Sequence, residues 1–435
     1  MSPRRHLLDV RPLRSSAPFR RLWLGSSLSA LGQQVTTVAV LFQVWELTGD
    51  PVWTGVLGLV RAVPLIVCGL LGGTWADAVD RRKLVLLTTL GQLVAGAGLA
   101  LQAVLRVESL VLLLGLVAVM SACGGLGAPA KRTFVPRLLP ADLVAAGVAL
   151  QMLAFQVAML VGPALAGAVI GWWGLTVCYL LETVTAAVSL WAVWRLPAVP
   201  VARGQGAGWR ATVAGVRFVT RRPVLRGLMV TDLVATLTAM PIALFPLVNE
   251  ERFGGDPQVL GLLLSAIAVG GTAAGLLLSG AVTRARRLGR VQFVAAGVWG
   301  LGLTGFGLAG QLWLALATLA VAGAADTLSV TARGAIVQLA TPDSHRGRVS
   351  AVDHVVGAAG PDVGNARAGF VAGLTSAPVA LVSGGLACVV GVVWVALSNR
   401  ELRRYEQPAG SAAQTAEAGA AEAHDQIDRT GVSSH

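Results

Sequence analysis

The sequence predicts an all-α membrane protein, with about twelve transmembrane helices arranged as two pseudo-symmetric halves of six. Three observations carry this expectation. The chain is 55% hydrophobic and 13% charged, with a mean hydropathy of +0.70, whereas a soluble domain carries about 25% charged residues. Its apolar residues fall in runs of roughly 20, the length that crosses a bilayer. Its basic residues collect on alternate connections between those runs, the pattern that orients multi-spanning proteins.

The runs occupy residues 22–47, 52–76, 84–105, 110–128, 143–170, 175–194, 225–248, 259–282, 291–309, 312–330, 349–374 and 379–397. A segment at 1–21 precedes them. The first run is a full span behind Arg20 and Arg21, so a cleavable signal peptide is not expected. Of the 34 Lys and Arg residues, only Arg61, Arg106, Arg252, Arg367 and Arg429 fall in spans, outer connections or the tail. The rest lie on one side, which places both termini in the cytoplasm. That distribution also argues against nucleic acid as the reason for the net charge of +12.

Residues 22–195 and 225–404 form the two halves. The linker at 196–224 is Gly-rich and basic, and Trp209, Val213, Val216 and Val219 are spaced for one face of a helix on the inner membrane surface. After the fourth run the chain reads FVPRLLPAD, and after the tenth IVQLATPDS, matching Val135 to Val337 and Pro140 to Pro342. Gly162-Pro163 is answered by Gly360-Pro361. Repeated halves place a substrate site near the midplane between them. The tail at 405–435 is small, polar and unable to bury a core. Cys68, Cys123, Cys178 and Cys388 stand singly in spans, without metal or redox spacing, and read as packing residues.

Residues 72–83, GGTWADAVDRRK, join the second run to the third through a short charged turn. Glycine lets two helices approach, and an acid at a helix end can pair with arginine; equally, Arg and Lys in a short inner loop can serve orientation alone. Gly73, Asp77, Arg81, Arg82 and Lys83 resemble the loop signature between the second and third helices of the major facilitator superfamily of transporters. APFRRLWLG, VPRLLPADLVAAG, GVRFVTRRPVLRG and TPDSHRGRVSAV narrow the resemblance to its siderophore-exporter and transmembrane secretion effector group, over about residues 17–404. Asp80 stands where the superfamily often has Gly, and TRARRLGR, after the eighth run, lacks the acid of the first copy. The resemblance implies a cytoplasmic gating loop at 73–83, a cavity lined by the first, fourth, seventh and tenth helices, and packing of the second helix on the eleventh across the halves. Gly162, Pro163 and Gly167 resemble the helix-kink signature of its exporters.

Polar groups in hydrocarbon are costly, so they carry the candidate chemistry. Asp362 follows Pro361, which is expected to bend or break the eleventh helix. It could alternate between a protonated state and a pair with Arg367 or Arg61, which is one way for protons to drive export; a permanent ion pair tying the halves together is the alternative. Asp232, Asp326 and Asp353 sit in the inner third of their spans, as proton or cation sites or as partners of Arg226, Arg333 or Arg346 in an inner latch. Glu182 could bond across to a neighbouring helix or reach a lipid-facing defect, and His354 faces away from Asp353 by about 100°. Gln33, Gln34, Thr37, Thr231, Thr236 and Met240 are candidates for the cavity wall, with helix-to-helix bonding as the alternative for each Gln and Thr.

The expected function is export of a siderophore-like or other amphipathic small molecule, coupled to protons, by a monomer in the lipid bilayer. Broad multidrug efflux is the rival within transport, and a non-transporting membrane sensor or assembly partner is the rival outside it. No nucleotide-binding loop, nucleophile triad or metal cluster occurs, so neither an enzyme nor a cofactor is expected.

Overall fold

The computed structural model describes residues 9–78, 80–196 and 209–406. Residues 1–8, the Gly-rich part of the linker at 197–208 and the tail at 407–435 lie outside the described residues. Among those described, the chain is helical without strands. The long helices are α1 (Ala17–Thr48), α2 (Pro51–Ala78), α3 (Arg81–Val104), α4 (Leu110–Arg132), α5 (Val144–Trp173), α6 (Leu175–Trp194), α7 (Pro223–Thr238), α8 (Pro257–Arg284), α9 (Leu288–Leu308), α10 (Leu312–Ala340), α11 (Asp343–Leu374) and α12 (Ala377–Ser398).

Helix ends follow local chemistry. The Ser16 hydroxyl accepts the Phe19 N–H at 3.2 Å to open α1, and α1 stops at Gly49, whose φ of 58° a side chain would resist. Asp50, Asp80 and Asp256 carboxylates accept N–H groups of Val52, Arg82 and Gln258 at 2.8, 2.8 and 2.7 Å, capping α2, α3 and α8. Short connections then fold successive helices back on one another. The basic connections, including Arg81, Arg82, Lys83 and Lys131 to Arg137, therefore collect at one end of the bundle, here the basic end.

Ten helical segments among the described residues are long and apolar enough to cross a membrane. α1 and α11 fall short of that measure by composition, yet each has 32 residues and spans about 48 Å, well beyond the hydrocarbon thickness of about 30 Å. Within the first six helices α1 packs on α5 and α6, α2 on α4, and α3 on α4 and α6. Among the last six, α7 packs on α11 and α12, α8 on α10, and α9 on α10 and α12. The two sets join through α2 on α11 and α5 on α8.

Two proline-containing stretches behave differently from one another. The run at 225–248 is interrupted: α7 ends at Thr238, a 3₁₀ turn covers Ile242–Leu244, and a short helix Phe245–Phe253 completes it. Pro241 and Pro246 lack the N–H donors that would continue α7. Conversely, Pro361 does not break α11, which runs unbroken from Asp343 to Leu374. Proline removes only the bond to the carbonyl of residue 357, and Gly360 and Gly364 seat α11 tightly on Thr236 of α7, so packing holds the helix through the gap.

The linker helix Trp209–Arg221 forms as its spacing implies. It packs on the start of α11, with Val219 buried and the Phe218 ring stacked 4.4 Å from His345. The side chains at 209–214 lie outside the described residues.

Candidate functional site

The two sets of helices meet at glycine-lined crossings displaced toward the end opposite the basic connections. On α2, Gly55 lies against the Ala366 carbonyl and Gly369, and Gly58 lies against the Asp362 carbonyl. On α5, Gly167 meets Gly261 and the Pro257 carbonyl of α8. A Cβ at these positions has no room, so glycine is required for the backbones to approach. The interruption of α7 is built into the same junction. The Thr54 hydroxyl of α2 donates to the Ala243 carbonyl at 2.7 Å, and the Asn365 side-chain oxygen of α11 accepts the Ala243 N–H at 3.1 Å. Backbone groups freed by the break are thereby satisfied without water.

Just below this junction lies a cavity of about 180 Å³. Gln33, Thr36 and Thr37 of α1, Arg61 of α2, Gln92 of α3 and Ser121 of α4 give it polar walls, and Val40, Leu57, Leu65, Val117 and Met120 complete it. Thr37, Leu57 and Arg61 also border a smaller void of about 30 Å³ that reaches Asp362, Asn365 and Leu264. Arg61 and Asp362 thus face one continuous space from helices of the two different sets.

A second group of charges lies among the last six helices. The Arg333 guanidinium of α10 pairs through Nη1 with the Asp232 carboxylate of α7, and its Nε lies 3.4 Å from Asp353 of α11. Gly357 of α11 lies beside the guanidinium. Arg333 is 7% exposed, and a lone guanidinium at that depth would be prohibitive without these partners. Asp326, two turns before Arg333 on α10, lies within electrostatic reach of Asp232 and Arg333. Two ionised carboxylates on one guanidinium leave the group with a formal charge of −1.

Other candidates are dispersed. Arg367 does not face Asp362: its Nη2 donates to the Ala380 carbonyl at 3.4 Å and lies against Gly384 of α12. Five residues turn a helix through about 500°, leaving the two side chains about 140° apart. Thr231 is 0% exposed, and its hydroxyl donates to the Gly227 carbonyl at 2.8 Å, so it lines no cavity. Thr236 donates to the Asp232 carbonyl at 2.8 Å, and Met240 packs against Gly364. The Gln34 amide reaches the Met159 sulfur at 3.0 Å, over Gly162 of α5. Pro163 lies within the unbroken α5, its carbonyl against Gly261. Glu182 is 1% exposed and lies against Gly32. Arg226 is exposed.

In the loop at 73–83, Gly73 and Asp77 belong to α2 by backbone, but their side chains lie outside the described residues, as do those of Arg346 and His354. Arg82 donates to the Trp194 carbonyl of α6, and Lys83 is exposed. The cavity residues that the sequence reading passed over are Thr36, Gln92, Met120, Ser121 and Asn365. Gln92 and Asn365 carried a signal, being amides within long apolar runs. Among the described residues no group of three or more His, Cys, Asp or Glu is placed to hold a metal ion.

A helical bundle joined at glycine crossings around an internal polar cavity is the arrangement of a membrane transporter, and solved structures share the fold. A bacterial homologue of the human lysosomal transporter Spinster, inward-facing and unoccupied, superimposes with a TM-score of 0.69 at 16% identity over 92% of this chain and 100% of that one. The inward-open xylose transporter XylE from E. coli does so with a TM-score of 0.61 at 15% identity, over 87% and 94%. The chain is a multi-pass membrane protein of the major facilitator superfamily. It belongs to the transmembrane secretion effector family, whose model matches residues 9–428. Curated relatives include the enterobactin exporter EntS of Citrobacter koseri, 27% identical over 406 residues, covering 92% of this chain and 96% of that protein. EntS of Escherichia coli O1:K1 / APEC is 25% identical over 410 residues, covering 94% and 98%.

Proposed function

We propose that this chain is a secondary active transporter of the bacterial inner membrane that exports a siderophore-like or other amphipathic small molecule in exchange for protons. Twelve spans in two pseudo-symmetric halves, residues 22–195 and 225–404, work as a monomer with both termini in the cytoplasm. Three things support the architecture: the helix pairings of the first six recur in the last six, α1 and α11 are long enough to span, and basic connections alternate with non-basic ones. With the basic end in the cytoplasm, the glycine crossings close the outer end and the cavity opens inward.

The observation that carries the mechanism is the facing of Arg61 and Asp362 across one space from different halves. An ionised Asp362 attracts Arg61 and holds the crossing; a proton on Asp362 removes that attraction and lets the halves rock apart. The Asp232–Arg333–Asp353 cluster, with Asp326 beside it, supplies a second proton-accepting set on α7, α10 and α11. Asp362→Asn tests the reading: transport into inverted vesicles under an imposed pH gradient is abolished while membrane insertion is intact, and undiminished transport would overturn it. The export direction draws support from the curated relatives, named exporters of enterobactin.

Broad multidrug efflux is the second reading, favoured by the soft apolar part of the wall at Val40, Leu57 and Met120. Competition by unrelated hydrophobic cations at concentrations similar to those of a siderophore-like substrate would favour it.

A further inference from the structure

On the outside of the bundle, away from the cavity, α3 and α6 pack side by side and leave an open groove of about 580 Å³. Leu87, Leu90, Leu190, Trp191 and Trp194 line it, and Lys83 stands at its basic end. The walls are outward-facing: Leu87, Trp191 and Trp194 are 61%, 49% and 57% exposed. From Lys83 to Leu93 the groove follows α3 for about 15 Å, the depth of one leaflet's hydrocarbon. Its length and polarity fit an acyl chain.

The mouth of the groove has a charge to match. Lys83 is exposed on α3. The Arg195 guanidinium lies 5.2 Å over the Trp194 ring, and Arg82 donates to the Trp194 carbonyl while its Nε is buried without a partner. Trp194 therefore gathers two arginines at the point where the groove ends. The nearest acid in sequence, Asp80, is occupied as the cap of α3 by the Arg82 N–H. Three cations converge where an apolar slot reaches the surface, the complement of a lipid with one negative headgroup.

We propose that this groove is a binding site for an anionic glycerophospholipid, one acyl chain lying between α3 and α6 and the phosphate held by Lys83, Arg82 and Arg195. The site rests on the reading that the bundle spans the bilayer with its basic end at one membrane surface. Because Arg82 and Lys83 close the charged segment at 73–83 and open α3, the lipid holds the end of that segment to α6.

The test uses the full chain in nanodiscs of phosphatidylcholine doped with brominated phosphatidylglycerol or brominated phosphatidylcholine, with tryptophan fluorescence as the readout. The contribution of Trp191 and Trp194 is isolated by subtracting the Trp191→Phe/Trp194→Phe variant, since the chain has 12 tryptophans. Brominated phosphatidylglycerol is expected to quench that contribution at mole fractions where brominated phosphatidylcholine quenches only by random contact. Each cation removed should lower the preference about fivefold, so Lys83→Gln/Arg195→Gln should lower it roughly twenty-five-fold. Raising the salt on the unmodified chain should erode the same preference without any substitution. Equal quenching by the two lipids, or a preference indifferent to both salt and the variant, would overturn the site. Absence of quenching by either lipid would overturn the membrane-spanning reading beneath it instead.

Discussion

Gly58 of α2 rests directly on the backbone carbonyl of Asp362 of α11, one turn before Arg61 on its own helix. The carboxylate that faces Arg61 is thus mounted on a crossing with no room for a side chain. Position and charge at this junction are coupled: any motion that parts the two helices also separates Asp362 from Arg61.

Substitution at Gly58 should therefore act on the crossing before it acts on chemistry. Gly58→Ala places a methyl against the Asp362 carbonyl, and overpacking of this kind costs about 1 to 3 kcal/mol. The closed crossing should lose population and transport should fall. Spin labels near Thr54 and Asn365 would show a longer distance distribution. Unchanged distances with normal transport would mean that the helices adjust freely and that the contact has no part in the cycle.

Arg333 should behave as the keystone of its cluster. Arg333→Met leaves Asp232 and Asp353 facing each other uncompensated, at a cost of about 3 kcal/mol. Asp232→Asn in the same chain should recover part of that loss, with a coupling of about 0.5 to 3 kcal/mol. Thermal unfolding of the four proteins of the cycle in detergent gives the answer. Additive effects would show that the pair seen between α7 and α10 contributes nothing to stability.

For the charged turn at 73–83, Asp77→Ala should weaken the conformation closed at the basic end by about 1 to 3 kcal/mol, the usual scale of coupling between states. Turnover should drop while substrate affinity in a locked conformer stays the same. Labels at the basic ends of α2 and α11 would report a shift toward the open arrangement. If neither turnover nor the distances move, the turn serves orientation only, and the non-transporting reading gains.

Orientation has its own test. A reporter active only in the periplasm, fused after Arg404, should remain silent. Activity there would invert the topology and with it the assignment of the basic end to the cytoplasm.

Much of this was legible in the chain, and the limits are instructive. The glycines at 55, 58, 167 and 369 sit in apolar runs where any small residue reads alike, and only the crossing of α2 with α11 and of α5 with α8 shows which of them touch backbone. Asp362 and Arg61 were visible as charges in hydrocarbon, but Arg367 was far closer to Asp362 in sequence, and helix geometry plus the packing of α12 decided between them. The interruption at 239–244 was signalled by Pro241 and Pro246, yet what it does depends on Thr54 and Asn365 reaching Ala243 from other helices.

By itself the sequence determined the class of solvent, the order of the apolar helices, the basic end and the family. These depend on hydropathy, charge and proline or glycine position, which act along a few turns of chain. Only the tertiary structure decided that Arg333 takes Asp232 and Asp353 together, that Thr231 is sealed away from any cavity, and that Gln92 and Ser121 join Gln33 and Thr37 around one space. In a membrane nearly every helix face is apolar, so the pattern along a helix says little about which neighbour it meets. Backbone fit and the pairing of buried charges, which join residues far apart in the chain, supply that information.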